Sequence, residues 1–93
     1  MSEELIIPIR NPSIRWRKEG MKAIVEPDMV LNEVGAFIWE RCDGQHTIES
    51  IVREIYEAFD VQGEEDVSKD VRDFLLDLYA NNLISWIKQG VSQ

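Results

Sequence analysis

The segment TIESIVREIYEAF, residues 47–59, places Ile48, Ile51, Val52, Ile55 and Phe59 at helical spacing, so one side of a short helix is apolar and must be covered. A second stripe of Val67, Val71, Phe74, Leu75 and Leu78 follows, in a segment from near Asp66 to Asn81 or Asn82. Helices this short gain most of their stability from packing rather than from propensity, so the two stripes predict a core built between helices. A third helical segment precedes them, with Val34, Phe37, Ile38 and Cys42 as its apolar positions. Asn32 and Thr47 are N-cap residues, Glu33 sits in a first turn, and Asp43-Gly44 is a stop signal. Helices are therefore expected over about 32–43, 47–59 and 66–82. Phe37, Ile38 and Trp39 are consecutive and exceed one narrow stripe, so the N-terminal third is expected to cover the Trp39 side.

That N-terminal third reads as extended. SIRWRKE, residues 13–19, alternates Ile14 and Trp16 with Arg15 and Arg17, the period of a half-buried strand. Glu19-Gly20 suits a hairpin turn, MKAIVE (21–26) a return strand, and Pro27-Asp28 a further turn into MVL (29–31). LIIPI (5–9) reads as an irregular or edge segment, because Pro8 has no N–H to donate. The expected sheet thus spans about 5–31. LISWIKQ (83–89) reads as a last short strand or docked tail, and residues 88–93 as a flexible end. The whole, 1–93, reads as a single α+β domain: an N-terminal three-stranded antiparallel sheet followed by three α-helices, winged helix-turn-helix-like.

Composition narrows what such a domain does. With 44% apolar and 30% charged residues the chain is globular in type, and no apolar run approaches the roughly 18 residues of a membrane-spanning helix. The N-terminus has no basic residue before its apolar patch and a single cysteine is present, which fits a cytoplasmic protein. The net charge of -8 is unevenly spread: residues 1–25 hold five Lys/Arg against three acids, and residues 26–93 hold five against fifteen. An acidic C-terminal part repels phosphate backbones and anionic lipid and favours partners carrying Lys or Arg.

Catalytic patterns are sparse. Cys42 and His46, one of each in the chain, straddle the Asp43-Gly44 break and have no third orienting group or further metal ligands. There is no Gly-rich phosphate loop, no G-x-S-x-G and no C-x-x-C. Asp66, Asp70, Asp73 and Asp77 recur at helical spacing as an acidic ridge, read first as a solvated face and second as a docking ridge for a basic segment. Read from its residues alone, the chain is a small acidic binding module, with no cofactor, no metal and no catalytic residue.

The run LNEVGAFIWERCDGQHTIESIVREIYEAFDV, followed by VSKDVRDFLLDLYANNLI, resembles the PqqD-like family, also called the RiPP recognition element. The matching elements are Leu31-Asn32, the aliphatic and aromatic run, Asp43-Gly44, Thr47-Ile48 with Ile51-Val52, and Asp70-Val71 with Phe74-Leu75 and Leu78, over residues from about 14 to 84. The resemblance implies a non-catalytic peptide chaperone. It would bind the leader of a ribosomally made precursor and present it to a modifying enzyme. That enzyme would be a radical SAM protein, as in pyrroloquinoline quinone (PQQ) synthesis, a cyclase, or a leader protease, as in lasso peptide synthesis.

The resemblance also implies a site in which the leader adds a strand to the third strand of the sheet, facing the third helix. Mapped onto this chain, the edge comprises Pro27, Met29, Val30 and Leu31, and the facing wall Asp70, Val71, Phe74, Leu75 and Leu78, with Asp73 and Asp77 along the rim. The acids would steer a leader carrying Lys or Arg. At AIVEPDMVLN the chain departs from PqqD proper, since Glu26-Pro27 stands in reversed order and no tyrosine precedes it. That leaves a stand-alone element of another peptide cluster as open as the quinone pathway. The partners implied are a leader peptide and an enzyme, without nucleic acid or membrane, for a monomer or homodimer. Two further readings are a winged-helix nucleic-acid binder or transcription regulator, which the fold permits but the acidic third helix opposes, and a subunit or small enzyme using Cys42.

Overall fold

The computed structural model describes residues 5–60 and 66–89, as an α+β arrangement of three helices and two antiparallel sheets. β1 spans Leu5–Arg10, β2 Trp16–Glu19, β3 Lys22–Val25 and β4 Met29–Leu31. The helices α1 (Glu33–Glu40), α2 (Ile48–Ala58) and α3 (Val67–Ala80) follow, and β5 (Ile84–Gln89) closes the described chain. All three helix starts carry side-chain caps. Asn32 accepts from the Gly35 N–H, Thr47 from the Ser50 N–H and Asp66 from the Lys69 N–H, each satisfying a donor that the first helical turn leaves open.

The expected single sheet over 5–31 is corrected by the structure. β2, β3 and β4 form a three-stranded antiparallel meander with Gly20 at positive φ in its first turn. β1 does not join it. It pairs instead with β5, in register from Leu5 with Gln89 to Arg10 with Ile84, so the segment read as a possible sheet edge is half of a second, two-stranded sheet. Residues 88 and 89 of the segment read as a flexible end belong to β5, and 90–93 lie outside the described residues. Pro8 is tolerated in β1 because the strand has one partner strand, and its carbonyl accepts from the Gly44 N–H at 3.1 Å.

Alternation in the meander turns Trp16, Ala23, Val25, Met29 and Leu31 toward the helices, with Ala23 and Val25 wholly buried. On the helical side Ile38, Ile51, Ile55, Val71, Leu75 and Leu78 complete the core. Trp39 is fully buried and meets Trp16 edge to face, ring centroids 6.0 Å apart at 86°. The meander thus covers the side of α1 that its own stripe could not. Phe37 points the other way, edge to face with Phe59 at 5.2 Å and beneath the Arg41 guanidinium at 3.5 Å.

Arg10, the last residue of β1, joins the two sheets to α1. Its Nη1 donates to the carbonyls of Trp39 at 2.9 Å and Glu40 at 2.8 Å, and its guanidinium lies 5.1 Å from the centre of the Trp16 ring. Two carbonyls at the helix C-terminus are thereby satisfied by a cation, the favourable sign for that end of the dipole.

The α1–α2 junction is held by a second polar group. His46 Nδ1 lies 3.0 Å from Asp43 and its Nε2 3.2 Å from Glu54, while Arg41 Nε donates to Glu54 at 2.7 Å. Partial burial pushes the Asp43 carboxyl up, but the His46 contact and the Gln45 N–H outweigh it and hold Asp43 below its ordinary 3.8. The Arg41 hydrogen bond, with smaller help from His46, holds Glu54 below its ordinary 4.5.

Two outcomes are expected. Arg10→Ala leaves the two α1 carbonyls without their cation and uncovers Trp16, costing roughly 2–3 kcal/mol of unfolding free energy in urea titrations followed by tryptophan fluorescence, with Arg10→Lys intermediate. Depressed carboxylates contribute stability that is complete above their ordinary range and lost as pH falls through their folded values. The melting temperature of the native protein should therefore drop more steeply below pH 4.5 than that of an Asp43→Asn/Glu54→Gln variant, measured by circular dichroism across the acid range.

Candidate functional site

β4 is hydrogen-bonded on one side only. It pairs with β3 through Met29–Val25, Val30–Ile24 and Leu31–Ala23, and among the described residues no strand lies along its other edge. A strand in that position offers alternate backbone N–H and C=O groups to an incoming chain. Leu31 is buried, Met29 half-buried, and Val30, on the outer face beside Ile24, is 58% exposed. Pro27 is exposed in the turn that leads into the strand.

α3 presents three sides, separated by about 100° of helical rotation per residue. Val67, Val71, Leu75 and Leu78 are buried, so most of the wall expected from this helix serves the core. Asp70, Asp73 and Asp77 are exposed along the flank next to Phe74, and Lys69 reaches Asp73 at 2.9 Å. The remaining side carries Leu76 and Tyr79, with the Tyr79 ring 6.0 Å from that of Trp86 in β5. The acidic flank, rather than the Leu76 side, is thus the one adjoining Phe74.

Phe74, half-buried, is what links α3 to β4 through α1. A Cβ built on Gly35 would stand 3.4 Å from Phe74 Cζ, 3.4 Å from Leu31 Cβ and 3.3 Å from Asn32 Oδ1. The missing side chain lets the Phe74 ring approach the α1 backbone where the edge strand ends. Beside this contact lies an open depression of about 520 Å³. α1 supplies Asn32, Val34, Gly35 and Ile38; α2 and its end supply Ile55, Phe59 and Asp60; α3 supplies Val67, Asp70, Val71 and Phe74.

The structure therefore brings Leu31, Asp70, Val71 and Phe74 together, and sets Leu75 and Leu78 behind them in the core. It adds residues that the sequence reading did not assign to a site, chiefly Val34, Gly35, Ile55, Phe59 and Val67. Gly35 carried the readable signal, since an isolated glycine in a helical run marks a close approach. Ile55 and Phe59 carried none, because a lining residue and a core residue share the same stripe.

Cys42 is buried, its Sγ donates to the Ile38 carbonyl at 3.4 Å, and burial pushes its thiol up to about 12, so it supplies no thiolate near neutral pH. The His46 ring nitrogens face Asp43 and Glu54, so Cys42 and His46 form no dyad. Among the described residues no group of three or more His, Cys, Asp or Glu could hold a metal ion, and no helix is long and apolar enough to cross a membrane.

Comparison with known proteins bears on residues in each of these elements. The family described as coenzyme PQQ synthesis protein D (PqqD) matches residues 23–84, from β3 through the first residue of β5. A relative in Methylococcus capsulatus (strain ATCC 33009 / NCIMB 11132 / Bath), the "PqqA binding protein", is 33% identical over 82 residues, covering 85% of this chain and 82% of its own length. No solved structure matches the chain. With two thirds of its length matched by that family and a relative of this identity and coverage, the chain belongs to the PqqD family.

Proposed function

We propose that this protein binds the leader segment of a ribosomally made precursor peptide and presents it to a peptide-modifying enzyme, acting as a non-catalytic chaperone. The observation that carries the reading is the open edge of β4, with Phe74 and the α1–α3 depression beside it. An extended peptide added there gains main-chain hydrogen bonds from the edge and sequence choice from the side-chain pockets. Pro27, Met29, Val30 and Leu31 form or lead into the pairing edge. Asp70, Val71 and Phe74 form the facing wall, Asp73 and Asp77 extend its rim, and Leu75 and Leu78 back it from the core. The name of the Methylococcus relative supports a precursor peptide as ligand, and the family supports PQQ biosynthesis as the setting. The enzyme served would then be of the radical SAM type, with a cyclase or leader protease as its counterpart in another peptide cluster.

A nucleic-acid reading is less well supported, since the exposed cations of α3 are Arg72 and Lys69, and Lys69 is paired with Asp73. The leader reading is tested by fluorescence polarisation with labelled PqqA. Val30→Pro should raise Kd about tenfold or more with the helical circular dichroism retained, and N-methylation of alternate amides in the peptide's paired segment should do the same. Native affinity after both changes would exclude strand addition.

A further inference from the structure

The β2–β3–β4 meander has two faces, and the helices take one of them. Arg17, Ile24 and Val30 stand directly across from one another in a single row, and alternation turns that row away from the core that Ala23, Val25 and Leu31 enter. The outer face stays open among the described residues: Arg17 is exposed, Ile24 half-buried and Val30 exposed. Met21, in the hairpin turn, adds a second large apolar group at 64% exposure.

A strand added at β4 lengthens this row. Residues directly opposite each other in a ladder share a face, so the peptide residue opposite Val30 stands about 5 Å from it on the outer side. Its two neighbours in sequence turn inward, toward the helices, and are withdrawn from any third molecule. The side chains that a bound leader still displays are the outward ones, and they lie in one surface with Val30 and Ile24. Without the peptide that surface ends at β4; with it, the surface is one strand wider.

The charges of the same face define what it meets. Arg17 is held by Glu19 at 2.8 Å, whereas Arg15 and Lys22 are exposed and enter no ion pair among the described residues. With Glu26, whose N–H donates to the Arg15 carbonyl, the face carries three cations against two acids, in a chain whose net charge is -8. An apolar pair flanked by two uncommitted cations fits a protein surface whose apolar patch is bordered by carboxylates. One surplus positive charge is too little to hold a nucleic-acid backbone against so acidic a chain.

Resting on the leader-binding reading, we propose that the outer face of the meander is the docking surface for the modifying enzyme, and that the leader completes it. The enzyme meets Ile24, Val30 and the outward side chains of the added strand as one surface, with its own carboxylates toward Arg15 and Lys22. It therefore binds the loaded protein in preference to the empty one, from the face opposite the groove that holds the peptide.

The test immobilises the radical SAM enzyme of PQQ synthesis and measures binding of the full native chain, alone and saturated with PqqA, by interferometry. The loaded chain should bind at least about tenfold more tightly than the empty one. Val30→Glu puts an acid in the outer row without removing a backbone donor. Its Kd for labelled PqqA should stay within about twofold of native, while enzyme binding by the loaded variant weakens about tenfold or more. Lys22→Glu, outside the β3–β4 ladder, should weaken the enzyme step about threefold and decides the matter if the first variant disturbs the edge. Leu76→Glu, on an exposed side of α3, should leave both steps native. Equal affinity for loaded and empty chain, native enzyme binding by both outer-face variants, or no enzyme binding by chain that carries PqqA would each overturn the proposal. Failure of the native chain to bind PqqA is a separate result: it removes the leader reading and shows in the polarisation assay before any enzyme is added.

Discussion

Arg10 is the contact on which the rest of the arrangement depends. It leaves β1, crosses to the C-terminal carbonyls of Trp39 and Glu40, and lies against Trp16 of the other sheet. Neither sheet is large: one has two strands and the other three, and two-stranded ribbons are marginal by themselves. Each gains stability only by packing on the helices. α1 lies between them, and a single side chain fixes its C-terminus with respect to both. The backbone supports the same junction through the Arg10 N–H to the Cys42 carbonyl at 2.8 Å and the Gly44 N–H to the Pro8 carbonyl at 3.1 Å.

Fixing the C-terminus of α1 also fixes its beginning, since an eight-residue helix is stiff over its length of about 12 Å. Its N-terminus is where β4 ends, where Asn32 caps, and where Gly35 admits Phe74. The geometry of the open edge relative to α3 is therefore set from the far end of α1, by residues remote from that edge. A substitution at Arg10 would tilt the same helix that carries Val34 and Gly35. Stability and the shape of the groove are mechanically joined here, which is how so short a chain can hold a defined groove with a single cysteine.

Much of this fold is legible in the sequence because its information is local. Asn32 and Thr47 announce helix starts, and Gly20 announces a hairpin turn that requires the positive φ it adopts. What is not legible depends on contacts between distant residues. α1 ends at Glu40 rather than at Asp43-Gly44, and its last carbonyls are those that Arg10 engages from about thirty residues away. β1 and β5 look like an edge segment and a tail because periodicity identifies a strand but never its partner, and these two pair from opposite ends of the chain. The same limit applies to the groove. Phe74 and Asp70 could be named through family resemblance, whereas Ile55 and Phe59 were indistinguishable from ordinary core.

The distribution of charge gives the fold a direction. Arg15, Arg17, Lys18 and Lys22 lie in or beside the β2–β3 hairpin, while Asp70, Asp73 and Asp77 lie along α3. A ligand that added a strand at β4 would have the acidic helix on one side, while the hairpin's cations lie toward β2 at the far edge of the meander, with Arg17 paired to Glu19 and Lys18 to Glu40. A peptide whose cations face α3 in one orientation only is favoured in that orientation. Backbone pairing alone does not discriminate well between parallel and antiparallel addition, because both patterns use the same groups with similar strength. Side-chain electrostatics across the groove can, since like charges brought together cost more than opposite charges gain at a solvated rim. For a peptide added at β4, the acidic ridge, which in a helix considered alone is only a solvated face, would favour the direction that brings the peptide's cations toward α3.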